Sequence, residues 1–361
     1  MLKQQKIFID FLRFCIGSVK EIPGSLKEAD WQELYAIAKK QCLVGILFDG
    51  IKKLPAEHVG MKKELLLQWM AESQMLENAN VRLNDAAIQV SEWFRKKGFR
   101  TCILKGQGNA LMYPNPYSRT PGDIDIWVEG GDKRVISFVR SISPHEKACY
   151  HHIEFPSYKG IEVEVHYRPS FLLCFWHNRK LQKYYERVKE EQFSHRVMLG
   201  EQGEIAIPTA EFNLIFQLTH IFSHLMNEGI GLRQLLDYYY VLISDDVSLI
   251  RDRVQKELRE LGLWKFARGI MYIMQEVFGM PASQLIVPPN EKYGKFVLNE
   301  VLEAGNFGRH DARNRFGRSQ LGHNLQRVYR DIRLVRYFPA EALCEPLFRI
   351  WHFFWRMKNK K

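Results

Sequence analysis

Two aspartates one residue apart, Asp123 and Asp125, stand inside the apolar run SRTPGDIDIWVEGG, Ser118 to Gly131. In an extended strand alternate side chains share a face. The two carboxylates therefore project to one side, while Ile124 and Ile126 point to the other, into a core. Like charges held that close repel each other. A divalent cation is the simplest partner that stabilises them, and Mg²⁺ takes one or two carboxylates together with water and substrate phosphates. Asp-x-Asp alone is a weak signal, and two solvated acids at a strand end fit it too.

Two neighbouring stretches strengthen the metal reading. Upstream, CILKGQGNALMY reads as strand, glycine turn and helix. Gly106 and Gly108, with Gln107 between them, let the backbone approach a phosphate. The helix start offers N–H groups to an anion, and Lys105 adds a positive charge. Downstream, GIEVEVHYRP places Glu162, Glu164 and His166 on one face of a strand. If that strand lies beside DIDIWV, a third carboxylate, Glu162 or Glu164, reaches the same pocket. A glycine turn at an anion site and three carboxylates from two strands make a two-metal phosphoryl-transfer site. One ion there activates an attacking oxygen and the other holds the triphosphate and the pyrophosphate leaving group.

These residues need a scaffold. Residues 99–170 alternate short strands and helices: FRTCIL, then DIDIWV, then a helix over KRVISFVRSI with Val135, Phe138, Val139 and Ile142 on one face. A hairpin of ACYHHIEF and IEVEVHY follows, turning at Lys159-Gly160. The flanks read as helical. Met61 to Lys97 contains no Gly or Pro. Trp69, Leu76, Leu83 and Val90 recur every seven residues beside Ala79, Ala86 and Trp93, which is a long helix with a buried seam. Gly98 stands where a helix-terminating glycine belongs. After Pro208, Thr209 reads as the N-cap of a helix over AEFNLIFQLTHIFSHLM, with further helices in GLRQLLDYYYVLI and LWKFARGIMYIMQEVF. Gly305 to Leu325 reads as irregular, and EPLFRIWHFFWRMKNKK as a short basic helix. The expected fold class is α+β, a small mixed β-sheet core over 99–207 with a helical N-terminal region, 1–98, and a helical C-terminal region, 208–361.

The 361 residues carry 46% hydrophobic and 26% charged side chains, the composition of an ordinary globular chain. No apolar stretch approaches the roughly 20 residues of a membrane-spanning helix. The first residues are broken by Asp10 and Arg13, unlike a signal peptide. Six scattered cysteines fit reduced, cytoplasmic usage rather than a disulfide framework. Of the net charge of +11, most lies in residues 305–361, with thirteen Lys and Arg against four Asp and Glu. Such a tail suits an anionic partner, whether nucleic acid, phospholipid or phosphorylated ligand. It equally describes a solvated face.

The motif set resembles the polymerase-beta-like nucleotidyltransferase superfamily and, more narrowly, its bacterial group of uncharacterised nucleotidyltransferases. Leu104-Lys105-Gly106, Tyr113-Pro114, Arg119, GDIDIWV and Glu164-Val165-His166 carry the resemblance, which extends to HIFSH and GLRQLLD. It implies a small mixed sheet with helices and two Mg²⁺ (or Mn²⁺) ions. It also implies transfer of a nucleoside monophosphate from a nucleoside triphosphate to an unidentified hydroxyl acceptor, a small molecule or a protein. Asp123, Asp125 and Glu164 are then the metal ligands and catalytic acids. Lys105, Gly106, Gln107, Gly108 and Arg119 are the nucleotide-binding residues. The chain departs from the superfamily in Gln107 where Ser is frequent, in a longer span from Gly108 to Asp123, and in Glu as the third acid. Those departures support the alternative, a catalytically silent module that binds a nucleotide or a protein partner.

Four further residues belong to an expected acceptor pocket. His166 either orients Glu164, meets a phosphate or packs. His220 and His224, one helical turn apart, either bind Zn²⁺, line the pocket or sit in the core. Arg233 either pairs with Asp237 on a helix surface or reaches a phosphate.

Overall fold

The computed structural model describes residues 2–201, 203–244, 247–308, 311, 313 and 320–359. The chain is α+β, as its patterning predicts. Helices α1 (Lys3–Cys15), α2 (Trp31–Gln41) and α3 (Val44–Ile51) lead into α4 (Lys63–Lys96), which is 34 residues long. Trp69, Leu83, Ala86 and Val90 of its seam are buried and Leu76 is half-buried. Gly98, at φ +81°, ends it: Gly98 N–H donates to the Arg95 carbonyl at 3.0 Å and Phe99 N–H to Phe94 at 3.1 Å. A side chain with a Cβ is strained in that backbone state.

The mixed core contains β1 (Thr101–Ile103), α5 (Gln107–Ala110), β2 (Ile124–Val128) and α6 (Gly131–Ile142), followed by β3 (His152–Tyr158) and β4 (Ile161–His166). The sheet order is β1-β2-β4-β3, with β2 parallel to β4 and the outer strands antiparallel to their neighbours. Lys159 and Gly160, at φ +52° and +80°, make the two-residue turn of the β3–β4 hairpin. Asp125 lies opposite Glu164 in the β2–β4 register, and His152 opposite His166 in the β3–β4 register. Helix α7 (Phe175–Ser194) and a small hairpin, β5 (Arg196–Met198) with β6 (Glu204–Ala206), complete the unit; that hairpin leaves no mark in the sequence patterning.

The C-terminal helices are α8 (Ala210–Asn227), α9 (Leu232–Ser244), α10 (Arg251–Glu260), α11 (Trp264–Glu276), α12 (Glu291–Ala304), α13 (Gln320–Val335) and α14 (Pro339–Lys358). Together with α1–α3 they enclose one large core that runs from Ile7 to Phe348. A second core lies on the other sheet face, where Ile103, Ile124, Ile126, Val163 and Val165 pack on Phe94 of α4 and Val135 of α6. The sheet is thus apolar throughout on one face. On the opposite face it is apolar only toward Trp127, whose ring lies 4.6 Å from Phe193 and 5.9 Å from Phe212. The next side chain toward the N-terminus on that face is Asp125, so the acidic patch begins where the apolar cover ends.

Several expectations change in detail. Thr209 is the N-cap of α8, but its hydroxyl donates to Gln192 Oε1 at 3.1 Å instead of accepting from the helix. Ile142 is exposed rather than packed with Val135 and Val139. Within the segment expected to be irregular, α13 already starts at Gln320, and 309–310, 312 and 314–319 lie outside the described residues. The basic C-terminal helix is 20 residues long, not short. It is anchored by Glu341, whose Oε2 accepts from the Leu173 and Cys174 N–H groups at 2.6 and 2.9 Å.

Candidate active site

Asp123 sits one residue before β2, Asp125 in β2 and Glu164 across from it in β4, and each offers an oxygen within 4.8 Å of the others. Glu162, on the same strand, is exposed and stands outside this group. Parallel pairing in this register is what separates the two glutamates, because it sets Asp125 directly beside Glu164.

Two cations answer the three acids. Lys105 Nζ lies 2.7 Å from Asp125 Oδ1, and His166 Nε2 lies 2.9 Å from the same oxygen and 3.4 Å from Glu164 Oε2. Burial alone would lower the affinity of His166 for a proton. Its hydrogen bonds to Asp125 and Glu164 outweigh that, and its pKa is pushed up to about 9. Lys105 is likewise raised, because Asp125, Asp123 and Glu164 outweigh its desolvation. Asp125 is buried, yet Lys105 and His166 hold its carboxyl well below the ordinary range. Glu164 is also lowered: desolvation raises it, but its bond to His166 and the nearby His152 prevail. Asp123 goes the other way, up to about 6, driven first by the charge of Asp125 and then by burial. With both cations charged, three carboxylates still leave the cluster one negative charge in excess.

A cavity of about 40 Å³ opens beside this cluster. Lys105, Gly106, Asp123, Asp125, His220 and Arg233 are among the residues that line it. His220 Nε2 lies 3.3 Å from Lys105 Nζ, and burial, followed by the charge of Lys105, drives its pKa well below the usual histidine range. His224 is one turn further along α8. Its ring lies 4.4 Å from that of His220 and its Nδ1 is 3.4 Å from Glu228, outside the cavity lining. Neither histidine belongs to a metal-ligating group among the described residues.

The glycine turn behaves differently from its sequence reading. Gly106, at φ +61°, lines the cavity, and a Cβ there would come 3.8 Å from the Asp123 carbonyl. Gln107 and Gly108 are buried in α5 and do not line it. A Cβ on Gly108 would meet the Ile207 side chain at 3.0 Å, so close packing on Ile207 accounts for this glycine. Asn109, unremarked in the sequence, does line the cavity. Its Oδ1 accepts from Gln217 at 3.1 Å and Asn213 at 3.3 Å, which ties α5 to α8.

Arg119 has a partner far along the chain. Its Nε and Nη2 donate to the two carboxylate oxygens of Asp237 at 2.8 Å each, and Tyr113 Oη donates to Asp237 Oδ1 at 2.7 Å. Arg119 lines the same cavity, with its guanidinium engaged by this buried bidentate pair. Arg233, expected either to pair with Asp237 on a helix surface or to reach a phosphate, is half-buried, lines the cavity and donates through Nη1 to the Thr120 carbonyl at 3.0 Å. The long span before Asp123 is pinned on every side. Asn80 of α4 donates to the Tyr117 and Arg119 carbonyls at 2.7 and 2.8 Å, and Thr120 Oγ1 donates to the Cys42 carbonyl at 2.8 Å. The helical flanks thus hold the loop that delivers Asp123.

The acid triad thus spans the parallel β2–β4 pair of the mixed sheet, beside a glycine turn. Residues 27–279 match the family described as Uncharacterised nucleotidyltransferase, and the chain belongs to it. Among solved structures it is similar to an antigenic nucleotidyltransferase-like protein from Paracoccidioides brasiliensis, at 13% identity and a TM-score of 0.34, covering 61% of this chain and 97% of that one. No curated protein matches the chain in sequence.

Proposed function

We propose that the chain is a metal-dependent nucleotidyltransferase of the polymerase-beta-like type, moving a nucleoside monophosphate from a nucleoside triphosphate to a hydroxyl acceptor. The observation that carries this reading is the Asp123–Asp125–Glu164 group. It is made of hard oxygen donors set within 4.8 Å of one another. Such a donor set fits Mg²⁺ or Mn²⁺, which when bound would neutralise phosphate charge and lower the pKa of a coordinated oxygen.

In the transfer, an acceptor oxygen forms a bond to the α-phosphorus while the bond to the bridging oxygen breaks, and pyrophosphate departs. The acceptor gives up its proton. Of the three acids, Asp123 has the proton affinity closest to neutrality, at about 6, whereas Asp125 and Glu164 are held down as weak bases. Lys105 and Arg233 face the cavity and supply positive charge for the phosphates. Gly106 supplies the φ +61° turn that leads from Lys105 into α5. Arg119 acts through Asp237, fixing the loop ahead of the acids. His220 borders the cavity as a neutral group and is the candidate contact for an acceptor.

The silent-module reading draws on the burial of Gln107 and Gly108, which keeps both out of the cavity lining. One experiment separates the two: incubation with each α-labelled triphosphate, Mn²⁺ and a cell extract. Label transfer with pyrophosphate release, absent in Asp125→Asn, supports the enzyme. Retention of nucleotide without pyrophosphate supports the silent module.

A further inference from the structure

Far along the chain from the acid cluster, α14 presents a second apolar side. One side packs inward: Ala342 and Phe348 are buried, the Trp355 ring lies 6.5 Å from that of Tyr150, and His352 Nε2 accepts from the Tyr150 N–H at 3.1 Å. Another side faces out. Leu343, Leu347, Ile350, Phe354 and Met357 are 65%, 59%, 58%, 62% and 54% exposed. Their spacing alternates between four and three residues, which aligns them along one stripe of a helix. Phe353 flanks the stripe and is also exposed. Helix α13 runs alongside, with Arg349 Nη1 reaching Asn324 Oδ1 at 3.4 Å, and adds exposed Leu325, Val328 and Ile332.

The charges on this hairpin are sorted. Its three acids, Asp331, Glu341 and Glu345, are only 8%, 4% and 3% exposed. Arg327, Arg336, Arg356 and Lys358 are exposed. The hairpin therefore shows solvent an apolar stripe together with charge of a single sign.

That combination selects among occupants. A second copy would set cations against cations, which opposes association. A nucleic acid would satisfy the arginines but leave the Leu, Ile and Met side chains without an apolar counterpart. An anionic lipid surface satisfies both, since aromatic and aliphatic side chains enter the headgroup–acyl boundary while Arg and Lys meet phosphates. No helix among the described residues is long and apolar enough to cross a membrane, so the contact would lie in the plane of the interface. We propose that the α13–α14 hairpin is a peripheral docking surface for an anionic phospholipid bilayer. This surface is independent of the nucleotidyl-transfer reading.

The test is co-sedimentation of the full chain with phosphatidylcholine vesicles and with vesicles that also contain phosphatidylglycerol. The expected result is binding to the anionic vesicles alone, weakened by added salt. Lys358→Ala, which removes a cation flanking the stripe, should weaken it roughly fivefold. Leu347→Glu combined with Phe354→Glu should abolish it with the circular dichroism spectrum and melting temperature unchanged; if that pair misfolds, Ile350→Ser with Phe354→Ser serves instead. Failure to bind anionic vesicles overturns the proposal, as does binding unaffected by the apolar substitutions. A dimer in light scattering that the same substitutions dissolve, without vesicle binding, would assign the face to self-association instead.

Discussion

Two buried charge clusters meet at one cavity, and they are built to opposite ends. At Asp237 one carboxylate receives two N–H groups of Arg119 and the hydroxyl of Tyr113, and its pKa is lowered because the charge of Arg119 overcomes burial. Every strong interaction there is satisfied within the chain. At the Asp123–Asp125–Glu164 group three acids compete for Lys105 and His166, and the strain shows as opposed proton affinities, Asp123 raised and Asp125 lowered. The first cluster holds the loop in place; the second is the one we propose gains a cation. Buried ion pairs with complete partners are expensive to break, whereas repelling carboxylates in a cleft mark a functional site.

Substitutions sharpen this contrast. The largest effect is expected at Asp237. Asp237→Ala leaves Arg119 buried without its partner and should cost about 3–5 kcal/mol of stability, read as a lower denaturation midpoint. Asp123→Asn should do the reverse. It removes a like charge, so the melting temperature of the metal-free protein should not fall, while transfer slows on the order of 10²–10³-fold. A loss of stability at Asp123 equal to that at Asp237 would erase the distinction between the clusters.

A third test is pH. His166 titrates at about 9 in the folded chain against 6.5 for an ordinary histidine. A group raised in this way contributes stability in full below pH 6.5, and the contribution fades as pH rises through 9. The metal-free protein should therefore lose on the order of 3 kcal/mol across that window. In His166→Gln the slope should flatten, whatever the change in overall stability. The smallest effect is expected of Arg119→Lys. One ammonium cannot reproduce two parallel N–H bonds, and the cost should be about 1–2 kcal/mol, seen in thermal melts.

The same contrast explains what the sequence shows and what it withholds. The acid pair, the hairpin partner strand and the long α4 follow from local spacing, because alternation and seven-residue recurrence are properties of a single segment. Glu164 rather than Glu162 is decided by the parallel register with β2, which no single segment contains. Arg119 has the same character as Lys105 in sequence. Only the placement of Asp237, 118 positions away, shows that Arg119 also fixes the loop while it lines the same cavity as Lys105. Gln107 and Gly108 fit a phosphate-turn pattern, yet Ile207 occupies the space next to Gly108. The C-terminal basic helix is legible as a helix, but the burial of all three acids of α13–α14 is a tertiary fact that sharpens its cationic face.

The most direct measurement is a titration of the purified, chelator-treated chain with Mn²⁺, followed by electron paramagnetic resonance at neutral pH. Wild-type protein and Asp237→Asn should take up the ion, whereas Asp125→Asn and Glu164→Gln should bind it at least about tenfold more weakly. Mn²⁺ uptake that is absent from the folded wild type, or unchanged when Asp125 and Glu164 are replaced, would contradict the assignment of these carboxylates as a cation site.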